Sequence, residues 1–215
     1  MKTILMMIVI LVFLFGCAGI PVRPALQENI GLSPGKIEGN QFTGIRYLFN
    51  VSVPPPWKLT TEFPDFLERQ GYDRPFSTDK EQTELYAYNP KTESNINFDF
   101  TPAGRYYRCN QKGIEVLTTS VTQDFKSDLE KESGKGVANI EVGPTEPISL
   151  KGVQYAARKY VTYTLKGQKR EAGWIYGFTE PYQIFILYTI LEKEGVNDRE
   201  DLNKILGTFE FLGKK

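Results

Sequence analysis

The sequence predicts an α+β fold in which an antiparallel β-sheet is flanked by helices, as an α/β/α sandwich. Three β-prone segments follow one another between residues 153 and 191 with short turns between them, so they are expected to be antiparallel neighbours. The segment 183–191 is apolar on both faces and is therefore predicted to be a central strand, covered above and below. Amphipathic helices predicted before and after these strands can cover the two faces of the sheet.

The N-terminal part of the domain is predicted to begin near residue 42 and to form a strand over residues 45–53. Proline residues at 54–56 end this strand, because proline cannot donate to a β-ladder. Trp57 follows and is predicted to close the edge of the core, with an exposed binding aromatic as the alternative. A short helix is predicted over residues 63–71. One face of the strand carries the apolar residues Ile45, Tyr47, Phe49, Val51 and Val53.

The middle of the chain predicts a hairpin of strands 84–89 and 95–101, joined by turn-forming residues. Asp99 lies on the polar face of the second strand and is expected to be solvated. A further short strand is predicted over 114–117, after Gly113.

A helix is predicted over residues 120–133, because Val121, Phe125 and Leu129 recur every four residues. Ser120 is expected to cap it, with Gln123 as the capping-box partner. Its acidic and basic residues are predicted to form a solvated face rather than a metal site.

The C-terminal part predicts strands over 138–142, 153–165, 170–178 and 183–191, followed by a helix. Gly173 and Gly177 lie on either side of Trp174 and predict the close approach of a neighbouring element. Asn197 is expected to cap the last helix, with Glu200 three residues later. The apolar stripe of this helix is formed by Leu202, Ile205, Leu206 and Phe209.

Composition excludes several kinds of chemistry. The chain contains no histidine, which removes the usual general base, the commonest metal ligand and every Ser-His or Cys-His pair. Its 26 basic and 26 acidic residues balance, so no bias towards nucleic acid is present. No phosphate-binding glycine motif or zinc-ligand spacing occurs, and no cofactor is expected. Cys109 is predicted to pack as a small hydrophobic residue, with a reactive thiol as the alternative.

The first residues are predicted to be an export signal. A single lysine precedes an apolar run from Ile4 to Phe15, and small residues follow. Leu14, Gly16 and Cys17 make this stretch resemble the lipobox of bacterial lipoproteins, although Phe15 stands where that family usually has a small residue. The resemblance implies cleavage before Cys17 and lipid attachment to its thiol.

Two alternatives to lipidation are an ordinary signal peptide cut nearby and a retained transmembrane helix. A transmembrane helix needs about 20 apolar residues, and Gly16, Gly19 and Pro21 make the apolar part too short. Residues 1–16 are thus predicted as a lipoprotein signal peptide, 17–41 as the lipidated N-terminus with a flexible tether rich in proline and glycine, and 42–215 as the globular domain. In a Gram-negative host, Ala18 after the cysteine would imply the outer membrane.

A strand near the start of the domain ends in Pro-Pro-Trp, and a three-strand meander is centred on Gly173-Trp174-Ile175-Tyr176. This order of elements resembles the PsbP/Mog1-like fold. This resemblance covers roughly residues 42–212 and implies a non-catalytic module that binds a larger assembly. We therefore expect an envelope lipoprotein anchored to a membrane by its N-terminal lipid, with an unidentified protein partner. A small-ligand or lipid carrier is the alternative, and an enzyme is not expected. Trp57 and Tyr182 are the candidate contact aromatics.

Overall fold

Two antiparallel sheets form the framework of the domain in the computed structural model, which describes residues 31–70, 83–103, 108–131 and 136–213. The small sheet has the order β1-β2-β3-β12, with β1 at Gly35–Glu38, β2 at Gln41–Gly44, β3 at Phe49–Ser52 and β12 at Glu210–Phe211. The large sheet has the order β4-β5-β6-β11-β10-β9-β7, and β8 also pairs with β9. Its strands in chain order are β4 (Lys58–Thr60), β5 (Thr83–Asn89), β6 (Ser94–Pro102), β7 (Val137–Val142), β8 (Glu146–Pro147), β9 (Tyr155–Leu165), β10 (Gln168–Thr179) and β11 (Tyr182–Leu191).

Four helices accompany the sheets in the described residues: α1 (Phe66–Arg69), α2 (Gln111–Ser120), α3 (Thr122–Lys131) and α4 (Asp198–Thr208). The small sheet and α4 cover one face of the large sheet, which we call the inner face. Phe49 of β3, Phe98 of β6 and Phe209 after α4 are fully buried there. Their ring centroids lie about 6 Å apart, at 6.1, 5.8 and 6.0 Å, a separation typical of favourable aromatic pairs.

Helices α2 and α3 pack against the other face of the large sheet, which we call the outer face. Ile114 of α2 is buried with Phe178 of β10 in one cluster. The ring of Phe125 on α3 lies 5.1 Å from that of Trp174, whose Nε1 donates to the carbonyl oxygen of Thr118 at 2.8 Å. Helices therefore lie on both faces, as predicted, and the second sheet is an addition on the inner face.

Strand β11 is central, because it pairs with β10 on one side and with β6 on the other. Gly173 lies opposite Tyr188 in this register. A Cβ atom added at Gly173 would lie 2.2 Å from the Tyr188 ring, so the predicted close approach is confirmed. The hairpin of β5 and β6, the strand β7 and the helix α4 are confirmed as well, with small shifts of their ends.

The prediction of a strand over 114–117 is wrong, because these residues lie inside α2. Asn110 caps this helix, and its side chain accepts a hydrogen bond from the backbone N–H of Gly113 at 2.8 Å. Ile114 and Thr118, four residues apart, are its buried positions. Consequently Ser120 is the last residue of α2 and not the cap of α3, which spans only Thr122–Lys131.

The N-terminal predictions need three corrections. Residues 35–41, expected in the tether, form β1 and the turn into β2. The predicted strand 45–53 is reduced to β3, and Ile45 is 40 % exposed in a bend before it. The predicted helix 63–71 shortens to α1, and the last residue of that prediction, at position 71, lies outside the described ranges.

One prediction for the C-terminal helix also needs a correction. Asn197 precedes α4 but makes no side-chain capping hydrogen bond.

We predict opposite effects of the same substitution at two glycines. Gly173→Ala places a methyl group against the Tyr188 ring and should destabilise the fold by roughly 1–3 kcal/mol through overpacking. Gly207→Ala lies inside α4 with nothing within 4 Å of its Cβ, so it should stabilise by about 0.5–1 kcal/mol. Urea unfolding followed by circular dichroism measures both values. Equal or reversed signs would contradict the close packing of β10 on Tyr188.

Candidate functional site

Of the two cysteines in the chain, only Cys109 lies in the part that the structure describes. Cys17 lies outside the described residues, so lipid attachment there stays a prediction. Cys109 is half-buried, packs against the cluster that contains Ile114 and Phe178, and its Sγ donates to the carbonyl oxygen of Asn110 at 3.3 Å. Its packing is that of a small hydrophobic residue, as predicted.

The two aromatic residues suggested as contacts are not exposed. Trp57 is 4 % exposed, and its Nε1 donates to Oδ2 of Asp201 at 3.1 Å. It closes the edge of the core, and the alternative of a binding aromatic is wrong for this residue. Tyr182 is half-buried, with its ring edge-on to Tyr47 at 5.3 Å and to Phe211 at 5.8 Å.

A buried carboxylate fastens the start of α4 to the large sheet. Asp198 is 1 % exposed; its Oδ1 accepts from Asn89 at 2.8 Å and its Oδ2 from the Ser94 hydroxyl at 2.6 Å. The Ser94 hydroxyl in turn accepts from the backbone N–H of Leu191 at 2.9 Å. The position of Asp198 in the first turn also suits a negative charge. Because both carboxylate oxygens are occupied inside the protein, this group has a structural role.

A second buried carboxylate, Glu171, lies on the inner face of β10 and is fully buried. Its Oε1 accepts from Arg158 at 2.7 Å and from the Tyr188 hydroxyl at 2.8 Å, and its Oε2 accepts from Arg199 of α4. Burial raises the pKa of Tyr188 above its ordinary value and keeps the phenol protonated. Arg199 also pairs with Glu192, so the network joins three strands to α4. With every oxygen engaged, Glu171 is suited to positioning α4 and not to catalysis.

The outer face carries a pocket of about 440 Å³ over β5, β6, β11 and β10. This size lies in the range of small-molecule sites. Its side chains combine a carboxylate, a carboxamide, two threonine hydroxyls and two aromatic rings. They belong to Thr83, Asp99, Thr101, Tyr176, Gln183 and Phe185; Phe100, whose side chain packs in the inner core, also lines the pocket.

The pairing register arranges these side chains in rows across the strands. Tyr176 lies opposite Phe185, Phe185 opposite Asp99, and Asp99 opposite Thr83. The rings of Tyr176 and Phe185 lie 4.7 Å apart at an angle of 42°. Neighbouring strands are separated by about 4.8 Å, so one row spans roughly three strand spacings, from an aromatic end to a polar end. Gln183 and Thr101 form the neighbouring row.

Sequence reasoning did not find this pocket, because it expected Asp99 to be solvated. The structure shows Asp99 half-buried in the pocket wall. Alternation in residues 95–101 indicates a polar face, but it does not say which strands lie beside it. Only the pairing of β6 with β11 brings Phe185 next to Asp99.

A third buried carboxyl group, Glu84, lies directly beside the pocket residue Thr83, where the register of β5 shifts. Glu84 is 1 % exposed, and its Oε1 accepts from Nη1 of Arg46 at 3.0 Å. Burial raises the pKa of Glu84 to about 7, and it outweighs the opposing effect of Arg46; the nearby Asp99 carboxylate adds to the rise. Arg46 also donates to the carbonyl oxygen of Leu32 at 3.1 and 2.8 Å, through Nε and Nη2.

The described residues contain no group of three or more Cys, Asp or Glu side chains that could hold a metal ion. Within the same ranges, the helices are too short and too polar to cross a lipid bilayer.

Comparison with known proteins establishes the fold. The solution structure of cyanobacterial PsbP from Synechocystis sp. PCC 6803 superposes with a TM-score of 0.50 at 9 % identity, over 87 % of this chain and 98 % of that protein. The chain has the PsbP/Mog1-like fold. The predicted fold class is thereby confirmed, and the small sheet and helices described above are the form that this fold takes here.

Two weaker likenesses accompany this match. The first is LpqN, involved in cell envelope biogenesis of Mycobacterium tuberculosis, with a TM-score of 0.46 and 12 % identity over 76 % of this chain and 82 % of that one. The second is a point mutant of the protein Mog1, with a TM-score of 0.39 and 10 % identity over 77 % of this chain and 92 % of that one. No protein-family model and no curated protein matches the sequence.

Glu84 predicts a pH-dependent stability. Because the pKa is about 7 in the folded protein and 4.5 ordinarily, the folded state holds the proton more tightly. The contribution of Glu84 to stability should be complete below pH 4.5 and should fall by roughly 2 kcal/mol as the pH rises towards 8. The chain has no histidine whose titration would mask this effect.

The measurement is urea unfolding of the wild type and of Glu84→Gln at pH 5 and pH 8. The variant should lose most of the difference between the two pH values. Glu130→Gln, at an exposed position of α3, is the matched control and should behave as wild type. An unchanged slope in Glu84→Gln would show that Glu84 has an ordinary pKa.

Proposed function

We propose that this protein is a lipoprotein of the bacterial cell envelope, anchored to a membrane through Cys17, and that its domain is a non-catalytic binding module for a larger assembly. The observation that carries the proposal is the sequence of the first 17 residues. A basic start, an apolar run, and Leu14, Gly16 and Cys17 in their lipobox positions support export and lipidation. A single acyl chain binds membranes weakly, whereas two or more bind stably.

The described structure supports a binding role over a catalytic one. The carboxylates of Asp198 and Glu171 are buried, and their oxygens accept hydrogen bonds from other residues of the domain. Glu84 is buried and accepts a hydrogen bond from Arg46. These groups fasten elements of the fold to one another and are shielded from solvent. The absence of histidine from the chain removes the most usual proton-transfer group at neutral pH.

The test of lipidation is metabolic labelling with an alkyne analogue of palmitate in cells that express wild type, Cys17→Ser or Cys109→Ser. We expect label on the wild type and on Cys109→Ser, and none on Cys17→Ser. Cys109→Ser is a matched control, because it makes the same change at the other cysteine of the chain. Equal labelling of all three proteins, or of none, would contradict lipid attachment at Cys17.

The binding role is tested by crosslinking in cells, followed by affinity purification and mass spectrometry. A partner recovered in stoichiometric amounts with the wild type but not with Cys17→Ser supports an accessory subunit that acts at the membrane. Recovery of no partner from either protein contradicts it.

A small-ligand binding protein is the second candidate, and the pocket on the outer face favours it. The inner core is filled by its own aromatic side chains, such as Phe49, Phe98 and Phe209, which stack on one another. A ligand would therefore bind at the outer-face pocket and not between the sheets.

A further inference from the structure

The chemistry of the outer-face pocket restricts what it can hold. We infer that this pocket binds a saccharide unit, with the sugar ring against Tyr176 and Phe185 and its hydroxyl groups against Asp99, Gln183 and the two threonines. This inference rests on the second proposed function, small-ligand binding, and it is independent of the lipid anchor.

The aromatic end of the pocket provides an apolar surface of limited size. The rings of Tyr176 and Phe185 lie 4.7 Å apart and meet at 42°, so they form a shallow angled wall and not a deep apolar slot. Both residues are only partly buried, and Tyr176 also packs against the cluster that contains Ile114 and Phe178. A pyranose ring has a face of C–H groups that packs against such a surface, while its hydroxyl groups project from the edge.

The polar end of the pocket matches the edge of a sugar ring. A carboxylate such as Asp99 only accepts hydrogen bonds, whereas carboxamide and hydroxyl groups both donate and accept. Sugar hydroxyls also do both, so each can satisfy a neighbouring group of either kind. Gln183 makes no side-chain hydrogen bond to any described residue, and its carboxamide is available to a ligand.

The register places the two ends at a suitable separation. Phe185 lies directly opposite Asp99 on the adjacent strand, and Gln183 directly opposite Thr101. Adjacent strands lie about 4.8 Å apart, so a single six-membered ring over Phe185 reaches the polar groups of β6. The volume of about 440 Å³ leaves room for a second sugar unit.

Other ligand classes fit the described lining less well. A fatty acyl chain would cover the Gln183 carboxamide without giving it hydrogen bonds, which is costly for a polar group. A phosphate group would meet the Asp99 carboxylate and no lysine or arginine among the described lining residues. A small quaternary ammonium ion suits aromatic rings and a carboxylate, but it leaves the carboxamide and the threonine hydroxyls unused.

The test is saturation-transfer NMR and titration calorimetry on the full chain in a polyoxyethylene detergent, since maltoside detergents carry sugars themselves. The probes are methyl β-glucoside, N-acetylglucosamine and chitobiose, with tetramethylammonium and a lysophospholipid as competing classes. We expect at least one sugar to bind the wild type, and Phe185→Ala to weaken that binding by about tenfold. Phe185 is half-buried against Tyr176, so its truncation also removes packing within the protein. Gln183→Ala therefore provides a second variant. Its matched control is Gln168→Ala, at an exposed position of β10.

Sugar binding that is weakened by Phe185→Ala and Gln183→Ala but not by Gln168→Ala supports the inference. No sugar binding at tens of millimolar, or binding that neither pocket variant changes, overturns it. If tetramethylammonium or the lysophospholipid binds at the pocket and the sugars do not, the saccharide class is wrong while small-ligand binding stands. If no probe binds, the second proposed function fails as well, and the palmitate experiment on Cys17 is unaffected.

Discussion

The structure depends on the central position of β11 in the large sheet, where β6 and β10 occupy the two edges of the strand. The inner face of β11 is buried in the main core through Ile184, Ile186 and Ile190. On its outer face, Gln183, Phe185 and Leu187 are half-buried. The small sheet and α4 supply the inner layer, and the described outer helices α2 and α3 lie over β7, β9 and β10. Among the described residues, the predicted cover of β11 above and below is therefore complete only on its inner face.

The C-terminal segment completes the inner layer and adds the last strand to the N-terminal small sheet. Asp198 and Arg199 hold α4 against the large sheet, and β12 then pairs with β3 of the small sheet. Buried carboxylates are unfavourable unless hydrogen bonds satisfy them, and both Asp198 and Glu171 meet this condition. The hydrogen bonds of these carboxylates form only when α4 holds one defined position. Apolar packing alone specifies that position less strictly.

The pocket lies on the part of the outer face that the described outer helices do not cover. The described outer helices lie over β7, β9 and β10, whereas the pocket opens over β5, β6, β11 and the near side of β10. Asp99 interacts with Glu84, and Glu84 binds Arg46, which holds Leu32 at the start of the described residues. The pocket is thus connected, by three ionisable side chains, to Leu32 near the start of the described residues.

Sequence alone predicted the elements whose side chains show a strong period. The meander of β9, β10 and β11, the apolar stripe of α4 and the close approach at Gly173 were correct, because local periodicity reports which residues are buried. The strand expected over 114–117 failed, since a short run of apolar and β-branched residues suits either structure; the cap at Asn110 decided for a helix.

The resemblance of residues 14–17 to a lipobox and the absence of histidine were readable from the sequence itself, because they concern single residues and local spacing. Tertiary structure alone decided the second sheet, the buried carboxylates and the pocket. Each of these joins residues that are far apart in the chain, such as Ser94 with Asp198 or Asp99 with Phe185. Strand pairing and helix docking set those contacts, and no local pattern encodes them.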